Sequence, residues 1–208
     1  MIYINISQLT LSYAGENFPE LDQIPAMQRR RLSALSKMAL NTAMKSIGQQ
    51  KVDYIVWASQ YGDEHKTYKI LEDVLQDRTP SPTQFSTSVH NAVAGLYSIL
   101  CQDATPSISL CANWSEGLVE AYTWLKSHSA TSSALVVFYD DPLPKIYEEY
   151  EKFQGFAMAA VIQLQQPNCT FDLEILNHQP EPKYKDALDF EISWNAQAGQ
   201  AMRVWSVQ

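Results

Sequence analysis

The sequence predicts an α/β protein with a mostly parallel sheet covered by helices. Three observations carry this. The runs Val52–Ser59, Ala134–Tyr139 and Gly155–Leu164 are short and almost continuously apolar, as strands buried on both faces are. Stretches with helical apolar spacing alternate with such runs along the chain, which is the order that builds helix-covered, mainly parallel sheets. The 208 residues, 46% of them hydrophobic, suffice for one full domain with a sizeable core.

In chain order, Ile2, Ile4 and Ile6 alternate with Tyr3 and Asn5 as a strand, and a second short strand is possible over Leu9–Tyr13. Pro25 suits the first turn of a helix. Leu32, Leu35, Met38, Ala43 and Ile47 continue that helix at the right spacing, and Gly48 stops it. Arg29, Arg30 and Arg31 fall in its first turn, as a dock for an acidic partner, an interface ion pair or simply a solvated face. After Val52–Ser59, the turn Gln60–Glu64 leads to a helix over Glu64–Gln76. Its expected inner stripe is Tyr68, Leu71, Val74 and Leu75, and His65 is expected at the surface.

The stretch Ser81–Ile99 organises the reading. Pro80 and Pro82 bias their neighbours away from helix, so it opens extended, and a helix follows from Ser88-Val89-His90-Asn91. Ala92, Ala94, Gly95 and Ser98 alternate there with Val93, Leu96, Tyr97 and Ile99, so another backbone can come close, as at a subunit or domain contact. Ser107–Cys111 is a short strand and Ala112–Ala121 a turn opening a helix, with Leu118, Tyr122 and Leu125 inward. A cysteine at such a bend is placed as a nucleophile would be, where a helix N-terminus favours its thiolate. Packing of a small thiol is the structural alternative for Cys111, as helix capping is for His90 and Asn91. Residues Thr170–Leu176 alternate again as a strand. Pro180–Lys185 looks like a connector, and a helix near Asp186–Ala196 and a strand near Met202–Val207 close the chain. This divides the chain into a main domain, 1–180, and a helix–strand appendage, 181–208.

Composition excludes several classes. A net charge of −8 argues against nucleic acid as partner. Cys101, Cys111 and Cys169 suggest no disulfide framework, and no pair has zinc-ligand spacing, so no metal or cofactor is expected. The amino-terminal segment lacks a signal peptide's basic and long apolar regions, and no run reaches transmembrane length. A cytoplasmic chain without stable membrane insertion is expected.

Met27–Ser33, Ala58–Gly62, Ser81–Gly95, Tyr139–Pro144 and Arg203–Ser206 together resemble the β-ketoacyl-synthase-like, chain-length-factor family of bacterial aryl polyene clusters. Ser81–Gly95 is the most specific of these blocks. The resemblance implies the N-terminal half of a thiolase-type layered fold. It also implies a non-catalytic subunit that pairs with a full-length β-ketoacyl synthase through Ser81–Leu100 and Pro106–Cys111, in a biosynthesis of type II polyketide or fatty-acid character. Acyl carrier protein would visit transiently. Trp57, Tyr61, Phe85, Leu96 and Trp114 are the implied candidates for a tunnel wall, with Ser88, His90, Asn91 and Cys111 beside it. His128 and His178 lack the glycines and threonines that surround a synthase's catalytic histidines. Two other readings stay open: an acyl-transfer or thioesterase-like enzyme using Cys111 with His90, and a homodimeric acyl-chain binding module.

Overall fold

The computed structural model describes residues 1–128, 132–177 and 182–206, apart from the side chains at 175 and 177. Its seven strands and seven helices run in the order β1 (Ile2–Tyr13), α1 (Ala26–Arg29), α2 (Ala34–Ile47), β2 (Tyr54–Ser59), α3 (Glu64–Leu75), α4 (Pro82–Ser86), α5 (Ala92–Cys101), β3 (Ser107–Cys111), α6 (Trp114–Ser127), β4 (Ser133–Asp140), β5 (Phe156–Gln163), β6 (Cys169–Phe171), α7 (Tyr184–Ala196) and β7 (Arg203–Trp205), among the described residues. One sheet takes all the strands in the order β3-β2-β4-β5-β1-β6-β7. β2 is parallel to β3 and β4, and β5 is antiparallel to both β4 and β1. Strands β1 to β4 therefore share one direction and β5, β6 and β7 run the other way, so the expected mostly parallel sheet is mixed, with three parallel and three antiparallel pairings among the described residues. β6 and β7 extend the sheet beyond β1.

Period-two alternation sorts the core onto the two faces. Ile2, Ile4, Ile6, Tyr54, Val56, Phe138 and Met158 pack on one side, under α6 and α7. Ile55, Trp57, Leu135, Val137, Tyr139 and Ala159 pack on the other, under α2 and α5. α6 lies close because Gly117 has no Cβ: one built there would stand 3.1 Å from Val136 Cγ1.

Several expectations need correction. The two possible amino-terminal strands are one, with a bulge between Ser7 and Thr10 and Gln8 at φ +52°. The single helix expected from Pro25 is two. α1 ends at Arg29, which pairs with Asp22, and α2 restarts because the Ser33 side chain accepts the Ser36 N–H. The opening of Ser81–Ile99 is helical rather than extended, since Ser81 and Gln84 form a capping box and Pro82 fits its first turn. The inner stripe of α3 is not inward. Leu71, Val74 and Leu75 are 49%, 54% and 85% exposed, because among the described residues no element lies over them. The strand expected over Thr170–Leu176 stops at Phe171 and gives way to a 3-10 turn, Leu173–Asn177. Of the expected connector and last strand, Pro180, Glu181 and Val207 lie outside the described residues, as does His178.

α7 and β7 are bound to α6 by an aromatic cluster. The Phe190 ring is 5.5 Å from Trp114, 5.3 Å from Trp205 and 5.8 Å from Trp194. Phe190→Ala is expected to lower the unfolding free energy by about 3–5 kcal/mol. Urea titration checks this, and a cost under about 1 kcal/mol would mean that α7 is not part of the cooperative core.

Candidate functional site

The carboxyl ends of β2, β3 and β4 meet at one turn, Ser59-Gln60-Tyr61-Gly62. Asp140, at the end of β4, is 3% exposed. Its Oδ1 accepts the Ser59 hydroxyl (2.8 Å) and the Gln60 N–H (3.0 Å), while Ser59 Oγ accepts the Gly62 N–H (2.8 Å). Burial pushes the Asp140 carboxyl up to about 7, against the lowering effect of those bonds. Gly62 has φ +70°, and a Cβ there would lie 3.4 Å from His90 Cδ2, so glycine admits both the turn and the imidazole above it.

Two predicted residues dock onto this turn, on adjacent carbonyls. His90 Nε2–H donates to the Ser59 carbonyl at 3.1 Å, which sets its tautomer. The exposed Cys111 thiol donates to the Gln60 carbonyl at 3.0 Å. Among the described residues no hydrogen bond joins Cys111 to His90, so the structure does not assemble the nucleophile–base pair that an acyl-transfer enzyme would use. Tyr61, 38% exposed, accepts from Gln60 Nε2 at 2.8 Å and completes this group.

The other predicted residues are spread out. Phe85 is 64% exposed on α4, and Ser88 Oγ donates back to the Phe85 carbonyl at 2.9 Å. Asn91 is exposed at the N-cap position of α5 without a side-chain cap, and Leu96 is half-buried against the α2-side core. Trp57 and Trp114 are both fully buried but on opposite faces of the sheet. Trp57 packs 5.2 Å from the Tyr97 ring, and Trp114 belongs to the α6 side. Among the described residues, neither indole N–H group has a hydrogen-bond partner. His65 is half-exposed at the surface, its Nε2 2.9 Å from the Pro142 carbonyl. Among the described residues no three His, Cys, Asp or Glu side chains cluster as metal ligands, and no helix is long and apolar enough to cross a membrane.

Sequence reasoning missed four residues that build the site: Gln60, Asp140, Lys183 and Asp186. The Lys183 N–H donates to Gln60 Oε1 (2.9 Å) and its Nζ to the Cys111 carbonyl (3.1 Å). Asp186 accepts both the Ser115 N–H (2.7 Å) and the Ser115 hydroxyl (2.9 Å) at the start of α6. Burial pushes its carboxyl up to about 6. Only the acid at the end of an apolar strand, Asp140, carried a sequence signal. The contacts of Lys183 and Asp186 span 123 and 71 residues, beyond any local pattern.

Both carboxyls bind a proton more tightly in the folded chain than at their ordinary value of 3.8. The stability they confer is therefore full at acid pH and lost as pH rises through about 6 and 7. Between pH 5 and 8 their joint contribution should fall by on the order of 3 kcal/mol, and Asp140→Asn should flatten the slope. Urea titrations across that range check this. A wild-type curve that rises with pH, or an unchanged slope in the variant, would refute it.

The profile described as "Beta-ketoacyl synthase, N-terminal domain" matches residues 5–204, through α7 and into β7. A search of curated proteins returned no match. Among solved structures, the chain is similar to one in "Ketosynthase (ApeO) in Complex with its Chain Length Factor (ApeC) from Xenorhabdus doucetiae", with a TM-score of 0.67 and 24% identity over 78% of this chain and 79% of that one. It is also similar to the ishigamide ketosynthase/chain length factor (TM-score 0.54, 12% identity, 73% of this chain and 48% of that one). A β-ketoacyl synthase from Burkholderia phymatum STM815 matches at TM-score 0.55 and 12% identity, over 79% of this chain and 59% of that one. This chain thus spans about half of each of the latter two. The expected thiolase-type, ketosynthase-like α/β fold is borne out, and the chain belongs to the family of β-ketoacyl synthase N-terminal domains.

Proposed function

We propose that this chain is a chain-length-factor-like subunit. It pairs with a full-length β-ketoacyl-ACP synthase and helps to wall the acyl tunnel in aryl polyene biosynthesis, without catalysis of its own. The observation that carries the proposal is the contrast between the two edges of the sheet. On β7, the Val204 N–H donates to Gln197 Oε1 (2.8 Å) and the Val204 carbonyl accepts from Gln197 Nε2 (2.9 Å), so a side-chain amide stands where another strand would pair. On β3, the Ile55 N–H donates to the Pro106 carbonyl and the Ala112 N–H to the Ser59 carbonyl. That alternation turns the backbone groups of Ser107 and Ser109 away from β2, and among the described residues nothing bonds them.

Apolar side chains are exposed on the same part of the chain: Leu71, Val74 and Leu75 on α3, Phe85 on α4, Val89, and Ile99 on α5, which packs against β3. An open edge beside an apolar surface is what an obligate partner covers, in interfaces that often exceed roughly 2,000 Å². The ketosynthase–chain length factor complexes among the structural neighbours support a synthase as that partner. Acyl carrier protein would deliver chains to the assembled pair transiently. The absence, among the described residues, of a hydrogen bond between Cys111 and His90 supports leaving the chemistry to the synthase.

Of the tunnel candidates, Phe85 stands on the exposed surface and is the residue proposed to end the tunnel, because a ring there leaves no room for a further two-carbon unit. The solution mass of the chain, expressed with the synthase of the same cluster, tests the pairing. A stable one-to-one complex is expected. It should be lost in Ser109→Pro, which removes an outward N–H from β3, and weakened in Leu75→Asp. A complex that tolerates both changes, or none in the wild type, overturns the reading. Within the complex, Phe85→Ala should lengthen the product, while Cys111→Ser should leave its yield within about twofold. Loss of several orders of magnitude with Cys111→Ser would refute the non-catalytic role.

A further inference from the structure

The amino terminus of α6 follows directly on Cys111. In such a bend, the free N–H groups and partial positive charge of a 14-residue helix are what would stabilise a thiolate or a developing oxyanion. Here the Ser115 and Glu116 N–H groups of that helix start are already taken. Asn113 Oδ1 accepts the Glu116 N–H at 2.8 Å, and Glu116 Oε2 accepts the Asn113 N–H at 2.7 Å. The Ser115 N–H and hydroxyl both go to Asp186, from α7, and the Trp205 indole N–H of β7 donates to Ser115 Oγ at 2.9 Å. Lys183, one turn before Asp186, holds the Cys111 carbonyl with its Nζ and the Gln60 side chain with its backbone N–H. Gln60 in turn accepts the Cys111 thiol.

We infer that the α7–β7 unit is a built-in occupant of the α6 amino terminus, and that its Asp186 carboxylate, braced by Lys183 and Trp205, keeps the Cys111 turn closed to acyl chemistry. This goes beyond the partner-subunit reading, because it is a property of the chain alone. Asp186 is 2% exposed, so little solvent screens its charge from the turn. Other charged and titratable groups around the turn include Tyr61 in the turn itself, Glu116 of α6, Lys183 before α7, Asp189 of α7, Asp140 of β4 and His90 before α5. Lys183 is itself paired with Glu116, 3.4 Å away, which reduces its pull on the turn.

The test is the rate at which Cys111 of the full chain is alkylated by iodoacetamide at fixed pH, its sulfur displacing iodide, followed by peptide mass to separate it from Cys101 and Cys169. Asp186→Asn keeps the shape and removes the charge, and should speed alkylation about threefold to tenfold. Asp186→Ser serves the same purpose if the amide does not fold. Trp205→Phe loosens the brace but leaves the charge, and should change the rate by less than about twofold. Equal rates in wild type and both Asp186 variants overturn the inference. So does an equal acceleration in Trp205→Phe, since loosening rather than charge would then be the cause. Uptake of the acyl group by wild-type Cys111 from octanoyl-N-acetylcysteamine, whose thiol would leave, also overturns it. None of these results bears on whether the chain pairs with a synthase.

Discussion

One buried carboxylate organises the carboxyl edge of the sheet. Asp140 ends β4 and takes the Ser59 hydroxyl and the Gln60 N–H from the end of β2. Burying a carboxyl costs free energy unless its acceptors are used, and here the donors come from the one turn on which His90 and Cys111 both dock. The geometry of that turn, with Gly62 at positive φ, follows from the same bonds. His90 and Cys111 each reach a backbone carbonyl of the turn, and Tyr61 takes the Gln60 side-chain amide. That is the arrangement of a scaffold rather than of a proton relay.

The two sheet edges are finished differently, and each finish has a physical cause. At β7 a glutamine amide takes the outward N–H and carbonyl of Val204, so further pairing there would break two hydrogen bonds. At β3 only the Cys111 carbonyl is taken, by Lys183, and the outward groups of Ser107 and Ser109 have no bond among the described residues. Among the described residues, an amphipathic stripe on α3 lies uncovered. Hydrophobic periodicity normally means burial. In the proposed pairing, a partner would cover both this stripe and the β3 edge.

Strand and helix identity were legible in the sequence wherever burial alone decided them. The continuous apolar runs are β2, β4 and β5, the alternating isoleucines open β1, and the spacing of Leu118 and Leu125 is that of α6. Local capping chemistry overrode the coarser signals. Ser33 split one expected helix into two, and the Ser81–Gln84 box made a helix where prolines suggested extension. The α3 stripe shows the reverse case: its spacing predicts an inward face, but the structure leaves that face exposed, because periodicity fixes which residues share a side and not what lies over it.

The sequence by itself determined the α/β class, the position of nearly every element, and the bend that puts Cys111 ahead of a helix, because these depend on residue type and short-range spacing. The tertiary structure decided what stands around that bend. Gln60, Asp140 and the Lys183–Asp186 pair come from three separate segments and meet only because β2, β3 and β4 end together and α7 folds back onto α6. It also placed Trp57 and Trp114 on opposite faces of the sheet, since the alternation of side chains on a strand and the course of a helix across it are fixed only once the layers pack.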